Sequence, residues 1–240
     1  MPPNLPANGP RLRTAPGLAS SVLAIARKDI LIELRSRSVI LSAVTFSVLA
    51  LTIFFFAWDP TAVASIDLAP GVLWVIFTFS GLLGLHRSFG VEQPTRAMDA
   101  LLAAPVSREA IYLGKLIANL GFVIVVQAVS LPAVALLYNV PVAGYVWPLI
   151  GVVLLAAVGL VSVGTLFSSM AVSTRLAELL LPLLALPFFV PVILPAAQAT
   201  ARLMSGRAVS EVSGYISILG AFDIVFLVVC TLLYPYTLEQ

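Results

Sequence analysis

The sequence has few charged residues, a single cysteine and a single histidine in 240 residues. Charged residues make up 10% of the chain, whereas a soluble domain averages roughly 25%. The lone Cys230 excludes a disulfide framework, a zinc cluster built on cysteines and a CxxCH haem attachment. The lone His86 lies in a predicted polar loop, where a histidine is more often structural than a ligand. We therefore predict no cofactor site and no metal site in this chain.

Motifs for catalysis and nucleotide binding are also missing. No GxxxxGK[ST] phosphate-binding loop occurs, and the Gly-Lys of Tyr112–Leu116 lacks both the upstream glycine and the following Ser or Thr. No apolar run carries paired carboxylates, HExxH or GxSxG. A net charge of +2 and a pI of about 8.9 do not indicate nucleic-acid binding. The chain is thus not predicted to be an enzyme, and ATP-driven work would need a partner subunit.

What the sequence has in abundance is hydrophobic residues, which make up 60% of the chain. About 20 apolar residues are needed to cross a bilayer as a helix. Apolar runs near that length predict an all-α polytopic membrane protein with six transmembrane helices. We place the spans at 39–58, 70–85, 114–138, 146–170, 179–197 and 215–234.

The fifth span is unusual because it contains four prolines, each of which removes a backbone donor. One interpretation is a bent span, and the other is a broken or re-entrant segment at the outer face. The four residues are Pro182, Pro187, Pro191 and Pro195.

The distribution of basic residues predicts the orientation in the cytoplasmic (inner) membrane, because cytoplasmic loops carry the excess of Lys and Arg. With the N-terminus inside, Arg202 and Arg207 alone fall outside among the basic residues. Both termini are then cytoplasmic. The aromatic residues agree, since those expected at the outer interface are Trp58, Trp74, Trp147, Tyr138, Tyr145 and Tyr215.

Two domain regions are predicted: a disordered cytoplasmic tail over 1–17 and a membrane domain over 18–240. The tail is rich in proline and lacks an apolar core of signal-peptide length. Residues 18–38 favour an interfacial helix at the lipid headgroups, with basic residues on its other faces. The alternative is a positively charged flank that only sets orientation. The helical spacing rests on Leu23, Ala26, Ile30 and Leu34.

A polar segment, 86–113, separates the second and third spans. Pro94 suits the first turn of a short helix and Pro105 ends it, while Ser107 is placed to cap the next helix. Met98, Leu101 and Leu102 form an apolar ridge flanked by Arg96. This ridge either packs on the ends of neighbouring spans or docks into a partner, and the spacing supports both equally.

Asp223 lies near the middle of the sixth span, where a carboxylate is costly unless partnered. It either lines a functional path or bonds to another helix. Gly164 and Ser168 in the fourth span form a small-xxx-small pair that favours close helix packing. The candidate partners of Asp223 are the polar residues of other spans, Gln127, Ser130, Ser162 and Thr165.

The chain resembles the haem exporter B family, the permeases of the cytochrome c maturation ABC system. The resemblance rests on ILIELRSRS, on the APGVLW of Ala69–Trp74, on the LLAAP of Leu101–Pro105 and on GAFDIVFLVVCTLLYPYTLE. It covers roughly residues 20–240. The chain departs from the family at His86–Phe89 and at Thr95–Leu101, where the usual acidic-glycine turn is missing.

The resemblance implies a type-2 ABC exporter-like permease that is powered by a separate ATPase subunit. Segment 86–113 would then be the coupling segment, with Met98, Leu101, Leu102 and Arg96 at the ATPase. Haem export, or ATP-driven release of a haem-loaded chaperone, is the implied function. A second permease copy and a haem exporter C-like membrane protein are the other implied partners within the bilayer. The alternative is a type-2 ABC permease for a drug, lipid or glycan.

Overall fold

A computed structural model describes residues 17–90, 101, 104–140, 144–172 and 177–237 of the chain. The regular structure within these ranges is helical throughout, which confirms the predicted all-α fold. The helices are α1 (Leu18–Ser36), α2 (Ser38–Ala57), α3 (Ser65–Gly90), α4 (Arg108–Leu137), α5 (Val146–Val172), α6 (Ala177–Met204) and α7 (Val209–Thr237).

The helices α2 to α7 are each long and apolar enough to cross a membrane, which confirms the predicted six-span architecture. The helices α3 to α7 all extend beyond the spans predicted from the apolar runs, because helical hydrogen bonding continues past the hydrocarbon boundary. The first turn of α4, for example, contains Arg108 and Glu109, and the Ser107 hydroxyl accepts a hydrogen bond from the N–H of Ala110 at 3.2 Å. Ser107 is therefore the N-cap that the sequence predicts.

The fifth span, α6, is one continuous helix from Ala177 to Met204 with all four prolines inside it. The continuous helix excludes a broken or re-entrant segment. The fifth span is therefore a full-length helix that contains its prolines. Residues on the side of α6 that faces the bundle, such as Ala185, Phe189, Val192 and Ala196, are buried. Packing on α3, α5 and α7 therefore supports a helix whose backbone lacks four donors.

Helix α1 packs mainly on α4 and makes only slight contact with α2, the next helix in the chain. The contact is close because Gly114 of α4 has no side chain: a Cβ there would lie 2.7 Å from Ile25 and 3.1 Å from the carbonyl oxygen of Val22. Between α1 and α2 stands the single residue Arg37, with a left-handed φ of 51°. The chain thus turns sharply at one residue.

Glycines also bring α3 against its neighbours in the core. A Cβ on Gly84 would collide with the ring of Phe122 in α4, and a Cβ on Gly164 in α5 would collide with Leu85. The expected role of Gly164 in close helix packing therefore has a specific partner helix, α3.

Candidate functional site

Between α3 and α4, the described part of the polar segment 86–113 packs against the helical bundle at two residues. Leu101 is half-buried and packs on the hydrophobic core, as does Val106. Met98, Leu102 and Arg96 lie outside the described residues, so their predicted contact with an ATPase stays a prediction. One side of the ridge therefore rests on the chain's own helices at Leu101.

The segment leads directly into α4, whose first turns are bonded to two other helices. Arg108 donates through Nη1 to the carbonyl of Pro235 in α7 at 3.1 Å. One turn later, the Tyr112 hydroxyl donates to the carbonyl of Ser162 in α5 at 3.0 Å. The first turns of α4 are thus hydrogen-bonded to both α5 and α7.

A buried ion pair joins the same part of α4 to α1. Lys115 has no exposed side-chain surface, and its Nζ lies 3.5 Å from Oδ2 of Asp29. The other carboxylate oxygen of Asp29 lies 3.0 Å from Nζ of Lys28. Sequence reasoning missed this pair because Lys115 counts only as one more basic residue at the end of a span. An aspartate in a helix otherwise rich in basic residues was the available signal.

Asp223 is buried at the junction of α5, α6 and α7, with 7% of its surface exposed. Neither carboxylate oxygen has a hydrogen-bond partner among the described residues. The carboxyl group fits because Gly159 of α5 lacks a side chain: a Cβ there would lie 2.8 Å from Oδ1 and 3.1 Å from Val192 of α6. A glycine thus makes room for an acidic group that no described residue satisfies.

Three of the four residues predicted as partners of Asp223 form hydrogen bonds elsewhere. Ser130 and Ser162 donate to carbonyls in their own helices, and Thr165 accepts from Asn119 of α4 at 3.0 Å. Gln127 is buried too, and its Oε1 and Nε2 have no partner among the residues described. The interhelical bond expected for Asp223 is therefore not formed with any of the four.

Aromatic residues gather at the opposite end of the bundle from α1, which we call the aromatic end. Trp58 at the end of α2 stacks obliquely on Tyr138 at the end of α4, with ring centroids 5.6 Å apart. Arg202 lies 4.5 Å from the ring centroid of Tyr215.

Two of the tryptophans expected at the outer interface differ in exposure. Trp147 is 82% exposed, as expected for an interfacial ring, whereas Trp74 is buried and donates to Thr200 of α6. Trp74 therefore holds α3 to α6.

Comparison with known proteins gives a consistent result along most of the chain. The family model described as CcmB protein matches residues 20–240. Heme exporter protein B of Rhodobacter capsulatus is 29% identical over 189 residues, which are 78% of this chain and 85% of the relative. The protein of the same name from Paracoccus denitrificans is 32% identical over 164 residues, or 68% and 75% of the two chains.

A third relative, heme exporter protein B of Haemophilus influenzae, is 27% identical over 199 residues, which are 83% of this chain and 88% of the relative. The matched region includes all six candidate spans, the polar segment 86–113, the ion pair of Asp29 with Lys115, and the buried Asp223. With a family model that covers nearly the whole membrane domain, the chain belongs to the CcmB family.

Proposed function

We propose that the chain is the membrane subunit of an ABC transporter that handles haem during cytochrome c maturation. The observation that carries this proposal is the family match over residues 20–240, together with relatives named for heme export. Six candidate spans in one bundle suit a permease. Haem is the proposed cargo, delivered either across the membrane or onto a chaperone that ATP hydrolysis then releases.

The energy for this work is proposed to come from a separate ATPase, since the sequence has no phosphate-binding loop. The coupling segment between α3 and α4 is the proposed docking surface, with Leu101 holding it to the membrane domain. Met98, Leu102 and Arg96 are assigned to the ATPase contact. The bonds from Arg108 and Tyr112 to α7 and α5 support this assignment, because they connect the segment to half of the bundle.

The proposed assembly contains a second copy of this chain and a haem exporter C-like membrane protein. The end of the bundle with α1 and the coupling segment is assigned to the cytoplasm, and the aromatic end to the outer face. Residues 1–17, of which 1–16 lie outside the described residues, are assigned to a cytoplasmic tail. Both termini are then on the side of the membrane where ATP is available.

Deletion of the gene in its native host tests the function directly. We expect c-type cytochromes with covalently attached haem to disappear, and a plasmid copy of the chain to restore them, as measured by haem staining of denatured membrane proteins. Unchanged cytochromes in the deletion strain would contradict the proposal.

The need for a separate ATPase is tested with purified protein. The purified chain alone is expected to hydrolyse no ATP, while the complex isolated in mild detergent does.

The docking surface is tested by charge substitutions on its ridge. Leu102→Asp places an unpaired charge in an apolar contact, which costs several kcal/mol, so the ATPase should no longer co-purify. Leu101→Asp should in addition lower the yield of monodisperse permease, because Leu101 also packs on the core. The matched control is Thr95→Asp, which should retain the ATPase. Retention of the ATPase by Leu102→Asp at wild-type levels would mean that docking occurs elsewhere.

A further inference from the structure

The prolines inside α6 leave backbone carbonyl groups without a hydrogen-bond donor. In an α-helix each carbonyl accepts from the N–H group four residues later, and proline has no N–H group. Three of the prolines follow one another at four-residue intervals, so the carbonyls that lose their donors recur at the same interval. These carbonyls belong to Leu183, Pro187 and Pro191. Residues four apart lie on the same side of a helix. We call these three carbonyl groups the carbonyl row.

The carbonyl row lies on the side of α6 that faces away from the other helices. Leu183 is 69% exposed, and Pro187 and Pro191 are exposed as well. Val190 and Leu194, which flank the row, are also exposed. The opposite side of α6 carries the buried residues that pack on α3, α5 and α7. The described part of the chain therefore leaves the side with the row uncovered.

Side chains of α6 do not replace the missing donors. Serine and threonine hydroxyls can bond to carbonyls that a proline has freed in a membrane helix, but residues 179–197 contain no polar side chain. The row also lies deep in the membrane, because Pro191 is close to the middle of the candidate span Pro182–Met204. A backbone carbonyl at that depth is costly unless it is bonded. The row therefore requires donors from outside the described residues.

Water suits the row better than lipid or a second copy of this chain. An acyl chain has no donor. The same side of α6 in a second copy has no free donor either, because its side chains over 179–197 are apolar and its backbone N–H groups are bonded within the helix. Water carries donors and is small enough to reach a carbonyl beside a proline ring. Gln198 is exposed and follows Pro191 by seven residues, so its amide continues the row toward the aromatic end.

We propose that the carbonyl row binds water inside the membrane, so that the exposed side of α6 borders a hydrated passage and not acyl chains. Backbone that lacks its helical bonds is found at membrane depth where it lines a water-filled cavity. The assignment of this passage to the polar groups of a cargo rests on the proposed function. The water itself is detected without any cargo, so the two can be tested apart.

The experiment is electron paramagnetic resonance on the full chain, purified in mild detergent together with its bound partners and reconstituted into liposomes. Spin labels are attached to single cysteines that replace Val190 or Leu194 beside the row, in a Cys230→Ala background. The matched controls are Val228 and Ile224, which are similarly exposed and lie in the part of α7 that has no proline. Electron spin echo modulation in D2O detects water near each label, and collision with oxygen detects acyl chains.

The two readouts should separate α6 from α7. We expect the deuterium modulation to be at least about threefold deeper at Val190 and Leu194 than at Val228 and Ile224, because no water enters the hydrocarbon around a lipid-exposed helix. Collisions with oxygen should be most frequent at the two α7 positions. A label at Ala62, which is exposed at the aromatic end, gives the modulation depth for open water.

Restoring the missing N–H groups tests the carbonyls themselves. Pro187→Ala combined with Pro191→Ala returns helical donors to two of the three carbonyls, and alanine suits a helix interior, so this variant should accumulate normally. We expect its deuterium modulation at Val190 to fall to the depth found at Val228. Pro132→Ala is the control, because it removes an exposed proline from a different span, α4. It should leave the modulation at Val190 unchanged.

Three results would overturn the proposal. Frequent oxygen collisions with little deuterium at Val190 and Leu194 would place acyl chains against α6, and weak signals of both kinds would place another protein there. A deuterium signal that Pro187→Ala with Pro191→Ala does not reduce would mean that the carbonyls do not hold the water. No cytochrome is measured, so this proposal and the proposed function can each fail while the other stands.

Discussion

At the scale of single residues, the glycine that faces Asp223 sets how closely α5 and α7 approach. A methyl group on Gly159 would meet Asp223, Val192 and Phe222 at 2.8 to 3.2 Å. We therefore expect Gly159→Ala to lower the free energy of unfolding by about 1–3 kcal/mol through overpacking. Gly220→Ala on α7, where nothing lies within 4 Å, should change it by less than about 1 kcal/mol. Unfolding in mixed detergent micelles measures both, and equal effects would argue against a tight junction.

The carboxyl group of Asp223 adds no stabilising contact to the fold, because it is buried without a hydrogen-bond partner among the described residues. Asp223→Asn keeps the shape and removes the possibility of charge in the hydrocarbon, so we expect stability to be retained or increased. An acidic residue within a membrane span has a high free-energy cost of burial, and such residues usually serve function. The same variant should therefore reduce the yield of haem-stained c-type cytochromes. A stable variant with a wild-type yield would assign Asp223 to packing alone.

At the scale of helices, the contact between α1 and α4 depends on the buried pair of Asp29 and Lys115. Asp29→Ala removes this carboxylate from beside the fully buried ammonium, so we expect the free energy of unfolding to fall. Asp29→Ala combined with Lys115→Met removes the charge as well and should be less destabilising than Asp29→Ala. Glu211→Ala, which breaks the exposed pair with Arg207, should cost less than about 1 kcal/mol. Thermal unfolding in detergent measures the series, and additive effects would contradict coupling between Asp29 and Lys115.

The sequence predicts helix α1 but not the helix on which it packs. The spacing of Leu23, Ala26, Ile30 and Leu34 predicts a helix there, and α1 is found. Yet the residues buried against α4 include Val22 and Ile25, while Leu23 and Leu34 are exposed. Helical periodicity identifies an apolar face but not the helix that it meets, since α4 lies far along the chain. The position of α1 at the headgroups stays a prediction, and its exposed leucines are available for lipid.

At the scale of the whole molecule, orientation is open to a direct test. Single cysteines at Ala62 and Ser205, in a Cys230→Ala background, should react with an impermeant thiol reagent added outside intact cells. Cysteines at Ser20 and Ser107, near the other end of the bundle, should react only after the membrane is permeabilised. All four positions are exposed, so reactivity reports the side of the membrane. Reversed labelling would overturn the orientation inferred from the basic residues.

The six spans could be predicted because each is long and apolar, and membrane insertion requires little else from a sequence. The contacts between spans could not. Nothing near Gly159 or Gly114 indicates that they face Asp223 or Ile25, because shape complementarity between distant segments leaves no local pattern. Gln127 illustrates the same limit: the sequence offers it as a partner for Asp223, and the structure places it in a groove with no partner among the described residues.

The packing of α1 on α4 has a consequence for the order of events during synthesis. When α1 leaves the ribosome, the helix that will cover Val22 and Ile25 has not yet been made. Roughly 90 further residues must be added, which takes on the order of 5 to 20 seconds at translation rates of about 5–20 residues per second. During this delay α2 and α3 are already available for insertion, and α1 is attached to them through Arg37 alone. The face of α1 that packs on α4 therefore stays uncovered until α4, the third span, has been synthesised.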